Sequence, residues 1–257
     1  MKVTTQVIRK LKGNRSIVAL TAYDNITARI LDRSGVDIIL IGDTVGISFL
    51  GFESTVPVTV DMILHHAKAV MRAKPNALVV ADLPFPEAHR SMDHLLESCR
   101  RLMQEAEVEA VKLEGGEYIA AKVAQLVEAG IPVLGHIGML PQRKHQLGSY
   151  YKVGKIPKRR NQLLVDAQAL EKAGAFAIVG ENIETGLCKE ISETVKVPLI
   201  GIGSGPHCDG QILVSTDLFG LTPGEIPPFI KPYINLADVT TKAVSKWVDD
   251  VKQKKYP

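Results

Sequence analysis

Cysteine, net charge and long apolar runs are all scarce in this chain, and each scarcity removes a class of protein. Only three cysteines occur in 257 residues, Cys99, Cys188 and Cys208. They are too few for a disulfide scaffold and lack the spacing of a thiolate metal site, so they are read as structural thiols of a reducing compartment. The net charge is +3, too small to imply nucleic acid by itself. No run reaches the ~18 apolar residues of a membrane-spanning helix. The start, Met1-Lys-Val-Thr-Thr-Gln-Val, has neither an apolar signal core nor transit-peptide character. The expectation is a cytoplasmic protein with no membrane and no nucleic-acid partner.

What is present is an alternation of short apolar runs and amphipathic stretches. The runs at 17–22, 37–42, 77–82, 110–114, 132–136, 176–180, 198–203 and 211–215 read as buried parallel strands. Between them, 24–35, 59–73, 90–106, 117–130, 160–173 and 184–195 carry apolar residues at helical spacing. Eight strands with intervening helices, in a chain close to the ~250 residues of one such unit, predict an α/β protein of the (β/α)8 TIM-barrel type. A doubly wound open sheet is the alternative. No linker divides the chain, so residues 1–257 are read as one domain. An extra N-terminal helix is expected at 4–12, and a C-terminal one from Asn235 to Gln253 with Trp247 and Val248 on its apolar side. Two long loops, Gly46–Val58 and the basic Gly138–Ile156 with its two tyrosines, follow strands and would rim one face.

Five of the strands close on a charged or polar residue: Asp43, Asp82, Glu114, His136 and Glu181. One such residue is ordinarily a cap for the next helix. Five in register point to the carboxyl-end face, where barrel enzymes gather their catalytic groups. Alternation in Val111-Lys-Leu-Glu114 puts Val111 and Leu113 under the helices, and Lys112 and Glu114 on the inner face with Cα atoms ~6.6 Å apart. A lysine and a carboxylate inside a barrel require a partner, either each other or a ligand. Asp43, Asp82 and Glu114 offer oxygen donors from three strand ends, a set that suits Mg²⁺. Glu181 would be a general base if burial raises its pKa.

Other signals are weaker. Gly201-Ile-Gly-Ser-Gly205 stands where many barrels bind phosphate, but close packing explains it equally well. The basic set Arg143, Lys144, Lys152, Lys155, Lys158, Arg159 and Arg160 reads as a solvated loop or as a site for an anionic cosubstrate tail. Of His65 and His66, one is expected to be exposed and the other at an interface.

Taken together these segments resemble the ketopantoate hydroxymethyltransferase family. The likeness rests on Thr21-Ala-Tyr-Asp24, Gly42-Asp-Thr-Val-Gly46, Ser54-Thr-Val-Pro-Val-Thr59, Ala81-Asp-Leu-Pro-Phe85, Val111-Lys-Leu-Glu-Gly-Gly116, Gly135-His-Ile-Gly138, Gly201-Ile-Gly-Ser-Gly205 and Cys208-Asp-Gly-Gln-Ile-Leu-Val214. It implies a barrel of the phosphoenolpyruvate/pyruvate type assembled as a homo-oligomer, commonly a decamer. It also implies transfer of a one-carbon unit from 5,10-methylenetetrahydrofolate to 3-methyl-2-oxobutanoate, giving 2-dehydropantoate for pantothenate and coenzyme A synthesis. By the same resemblance Mg²⁺ falls on Asp43, Asp82 and Glu114, and the oxoacid on Asp43, Thr44, Asp82 and Lys112. His136 would contact substrate. Glu181 would be the catalytic base, removing the C3 proton to give a Mg-stabilised enolate. The chain departs from the family pattern with Thr44 for the usual Ser, Gly138-Met-Leu-Pro-Gln142, Gly148-Ser-Tyr-Tyr-Lys-Val-Gly154, and Gly180 before the base. A folate-independent Mg²⁺ lyase or mutase of the same superfamily, and a non-catalytic anion or nucleic-acid binder, are the competing readings.

Overall fold

The computed structural model describes residues 2–149, 151–222, 224 and 226–256. Eight strands close into a barrel in sequence order: β1 (Ile17–Thr21), β2 (Ile38–Ile41), β3 (Leu78–Asp82), β4 (Ala110–Glu114), β5 (Val133–Gly138), β6 (Ala177–Glu181), β7 (Leu199–Ile202) and β8 (Gly210–Leu213). The pairs from β1·β2 through β7·β8 are all parallel. Ile17 donates its N–H to Asp209 O at 2.9 Å where β8 returns to β1. Closure excludes the open doubly wound sheet. The helices of this part are α1 (Thr5–Leu11), α2 (Asn25–Arg33), α3 (Val45–Ser48), α4 (Val60–Met71), α5 (Met92–Arg100), α6 (Ala120–Glu128), α7 (Lys144–Leu147), α8 (Pro157–Lys172) and α9 (Thr185–Thr194).

Local chemistry explains where several of these begin. The Asp24 carboxylate accepts from Thr27 N at 2.8 Å and caps α2, and Thr59 does the same for α4. α8 begins at Pro157, three residues before the expected 160, because a proline at the first helical position gives up no hydrogen bond. Lys158, Arg159 and Arg160 therefore stand on the first turn of a helix, not in a loop. The long loops contain helical turns of their own, α3 in the first and Pro141–Arg143 with α7 in the second. Tyr150, one of the two tyrosines expected there, lies outside the described residues.

Inside the barrel, alternate residues of successive strands meet: Ile17 and Ala19, Ile38 and Leu40, Leu78 and Val80, Ala110, Leu134, Ala177 and Val179, Ile200 and Ile212. Ile8 of α1 packs against the same cluster. Burying one such Ile or Leu is worth about 1.5–3 kcal/mol. The alternate residues of these strands, Val79, Val111, Leu113 and Ile178, are equally buried on the outer face. With both faces covered, each strand must be apolar nearly throughout, and a charged residue on one is exceptional.

The chain forms two compact units, residues 1–212 and 213–257. The second contains α10 (Ser215–Phe219), ended by Gly220 in the left-handed conformation, and α11 (Leu236–Lys252). Asn235 caps α11 by accepting from Asp238 N at 3.1 Å. No residue of α11 is buried, and Trp247 is half exposed.

Candidate active site

The parity that packs the barrel continues upward into charge. Above Val80 comes Asp82; above Ala110 come Lys112 and then Glu114; above Leu134, His136; above Val179, Glu181. Register aligns Asp82 with Lys112, Glu114 with His136, and Gly138 with Glu181. Asp43 joins them from just beyond β2. All are at least nine-tenths buried except Glu181, whose side chain is 16% exposed.

The contacts form a connected set. Lys112 Nζ makes a buried ion pair with Asp82 Oδ1. The other oxygen, Asp82 Oδ2, accepts from Asp43 N at 3.1 Å. Gln142 Nε2 donates to Asp43 Oδ2 at 2.8 Å and to Leu83 O at 3.1 Å, while Gln142 N donates to Glu114 Oε2 at 3.2 Å. The Thr44 hydroxyl is 2.7 Å from the Tyr23 hydroxyl. His136 stands between two acids, with Nδ1 3.7 Å from Glu114 Oε1 and Nε2 3.2 Å from Glu181 Oε2. Neither approach has hydrogen-bond geometry, so both ring nitrogens and Glu114 Oε1 are buried without a partner. Two glycines are required here. A Cβ on Gly42 would press against the Thr44 hydroxyl, and Gly138, at φ +105°, would drive one into Glu181 O at 2.2 Å.

Four carboxylates around one lysine leave the site short of positive charge. Burial, helped by the Asp82 charge and opposed by Lys112, pushes the Asp43 carboxyl up to about 7. Burial pushes Glu181 up to about 8. Glu114 rises well above the ordinary carboxylate range, through burial first and Asp43 second. Burial lowers Lys112, but Asp82, Asp43 and Glu114 outweigh it and the ammonium is held charged. His136 is driven far below its usual value by burial and by Lys112, so it is a neutral imidazole.

These residues fit a hard divalent cation in charge and donor type: oxygen ligands, an orphaned carboxylate oxygen, and acids that only a counter-charge would ionise fully at neutral pH. Among the described residues no three His, Cys, Asp or Glu side chains form a ready-made cage. Lys112 and Gln142 hold the acids instead. A cation that keeps several waters needs only part of its shell from the protein.

The structure thus brings together Asp43, Thr44, Asp82, Lys112, Glu114, His136 and Glu181. Tyr23 and Gln142 escaped the sequence reading; their only signal was membership of Thr21-Ala-Tyr-Asp24 and Gly138-Met-Leu-Pro-Gln142. Within the Gly-rich segment, the Ser204 hydroxyl donates to Gly180 O at 2.7 Å and accepts from Ile183 N at 2.9 Å, which is packing behind Glu181. His65 is exposed, and His66 is half-buried with Nδ1 2.8 Å from Tyr23 O. Of the basic set, Arg143 and Arg159 line a cavity of about 210 Å³ with Tyr118, Gln162, Asp166 and Gly138. The Arg143 guanidinium lies 4.7 Å over the Tyr118 ring, which stacks on His89.

A family model described as ketopantoate hydroxymethyltransferase matches residues 2–257. The chain belongs to the ketopantoate hydroxymethyltransferase family. Membership makes it a transferase of hydroxymethyl groups. A curated 3-methyl-2-oxobutanoate hydroxymethyltransferase from Trichodesmium erythraeum is 49% identical over 259 residues, covering 100% of this chain and 98% of its own. Another from Caldivirga maquilingensis is 49% identical over 257 residues, covering 100% and 96%. Among solved structures, a phosphonopyruvate hydrolase complex with oxalate and Mg²⁺ superposes with a TM-score of 0.62 at 15% identity, over 99% of this chain and 88% of that one. A 2,3-dimethylmalate lyase of the PEP mutase/isocitrate lyase superfamily gives 0.60 at 14%, over 100% and 90%. At such identities the likeness is one of fold, and it places this family's barrel in that architecture. No helix among the described residues is long and apolar enough to cross a membrane.

Proposed function

We propose that the chain transfers a hydroxymethyl group from 5,10-methylenetetrahydrofolate to 3-methyl-2-oxobutanoate, giving 2-dehydropantoate in pantothenate and coenzyme A biosynthesis. The observation that supports it is the inward row itself: one charged lysine among buried acids, with Glu181 and a neutral His136 facing them at 3.2 Å.

Lys112 and the Thr44 hydroxyl hold the oxoacid's carboxylate, with Asp43 and Asp82 beside it. Asp43, Asp82 and Glu114 would hold Mg²⁺, which when bound supplies positive charge for the oxygen that becomes negative as the C3 proton leaves. Glu181 takes that proton. Its pKa near 8 makes it a better proton acceptor than an ordinary carboxylate. His136, neutral, offers an N–H beside it to orient the substrate. Water adds to the folate's methylene carbon at the open side, the C–N bond breaks and tetrahydrofolate leaves. C3 attacks the formaldehyde-level carbon so released, and the new alkoxide takes back the proton held by Glu181, while the apolar residues below the acids give the carbanion no competing proton donor. The folate's anionic tail is assigned to the cavity of Arg143 and Arg159. With this reading go a single functional domain over 1–257, a cytoplasmic location and a homo-oligomer, the decamer being the form the family implies.

The test is to incubate the protein with 3-methyl-2-oxobutanoate, 5,10-methylenetetrahydrofolate and Mg²⁺, with a chelated control, and look for 2-dehydropantoate by mass spectrometry. Product that vanishes with chelator supports the transferase and its metal. A folded protein that yields none in the presence of Mg²⁺ overturns the reading.

A further inference from the structure

The two cysteines that the site does not use lie against each other. Cys188, on α9, is fully buried, and its Sγ is 2.8 Å from the Sγ of half-buried Cys208 in the β7–β8 turn. A covalent S–S bond is ~2.05 Å, so less than 1 Å of approach separates contact from bond.

The approach is fixed from both sides. Asp209, next to Cys208, accepts from Ser192 Oγ of α9 at 3.0 Å and from Leu199 N of β7 at 2.8 Å. Lys12 Nζ bonds Asp209 at 2.6 Å and Ser192 O at 2.8 Å, tying the turn to the helix a second time. Gly201 makes the room: a Cβ there would stand 2.5 Å from Cys208 Sγ. Cys99 is buried elsewhere, on α5.

We propose that Cys188 and Cys208 are an oxidative modification site, closing to an intrachain disulfide when the folded protein meets a peroxide. Exposure assigns the roles: Cys188 is fully buried, whereas Cys208 is only partly buried and within reach of solvent. Peroxide enters beside the partly buried Cys208. The Cys208 thiolate attacks one peroxide oxygen and the O–O bond breaks, giving a sulfenic acid and hydroxide, which takes up the proton that Cys208 released. Cys188 sulfur then displaces the sulfenic oxygen, which leaves with the Cys188 proton as water. Two thiols are oxidised and one peroxide is reduced to two waters.

The bond would staple α9, which follows Glu181's strand, to the turn that leads out of β7. Such a crosslink should raise the melting temperature by about 5–10 °C. The experiment treats reduced, folded protein with hydrogen peroxide, blocks free thiols, and maps peptides without reductant. Expected are loss of two hydrogen masses, one linked pair joining Cys188 to Cys208, an alkylated Cys99, and a melting-temperature rise reversed by dithiothreitol. Cys208→Ser and Cys188→Ser should lose both the link and the rise; Cys208→Ser, at the partly buried position, controls for poor folding of the buried variant. Alkylation of both sulfurs after peroxide, a link through Cys99, or a link only between chains would overturn the proposal.

Discussion

Gln142 Nε2 donates to the Asp43 carboxylate at 2.8 Å across 99 positions of sequence. With the bond from Gln142 N to Glu114, this one residue beyond β5 ties together acids from the ends of β2 and β4. Buried amides that orient metal-binding carboxylates typically alter affinity about 10–100-fold. Gln142→Ala should therefore weaken divalent-cation binding by about that factor, read as Mn²⁺ affinity by electron paramagnetic resonance. Unchanged affinity would reduce Gln142 to loop packing; absence of Mn²⁺ binding by the parent protein would instead count against the metal assignment.

Glu181→Gln should keep oxoacid affinity while abolishing exchange of the C3 proton with deuterated solvent. A loss of about 10²–10⁴-fold in exchange is expected for a general base, followed by proton NMR. Exchange at the parent rate would remove Glu181 from the base role.

Lys112→Met tests the central ion pair. It strands Asp82 in a buried site, a loss that typically costs about 3–5 kcal/mol, and it should abolish measurable oxoacid binding by calorimetry. Adding Asp82→Asn should restore part of the stability in urea unfolding and none of the binding. Recovery of binding in the double variant would contradict the assignment of Lys112 to substrate.

Arg159→Ala should raise KM for the folate several-fold and leave the oxoacid's KM unchanged, since Arg159 faces the lateral cavity and not the inward row. Steady-state kinetics with each substrate varied in turn distinguishes the two. Equal effects on both would remove the tail from that cavity.

The acids also give a pH dependence with a definite sign. Asp43 at about 7 and Glu181 at about 8 both lie above their unfolded values of 3.8 and 4.5. Folding therefore favours their protonated forms. The associated stability is complete below the unfolded values, falls as pH rises above them, and is gone once pH has passed the folded values of about 7 and about 8. Cation-free protein should show a melting temperature that falls between roughly pH 5 and 8, with Mg²⁺ restoring it most at the alkaline end, where the acids are ionised. A flat or rising profile by scanning fluorimetry would show that the acids are not buried as a cluster.

The strands were legible because a barrel strand must be apolar on both faces, so each stands out as a short run broken by turns. The interior charges were legible for the same reason: Lys112 and Glu114 interrupt a pattern that tolerates almost no charge, and alternation places them on one face. Other features had no such signature. The helix at Pro157 was masked by its basic first turn. Gln142 is an unremarkable polar residue of a loop until the chain's closure sets it between Asp43 and Glu114. The Cys188–Cys208 contact joins positions whose spacing says nothing, because the intervening β7 decides where they meet.

By itself, then, the sequence determined the period of burial, hence the eight strands, the inward parity and the acids that crown them, all properties of neighbours along the chain. Which acid lies on the lysine, which amide spans two strand ends, which carboxyls are forced toward neutrality and which thiols touch were decided only by tertiary structure. Those depend on distances between segments tens of residues apart and on the water that the closed barrel excludes.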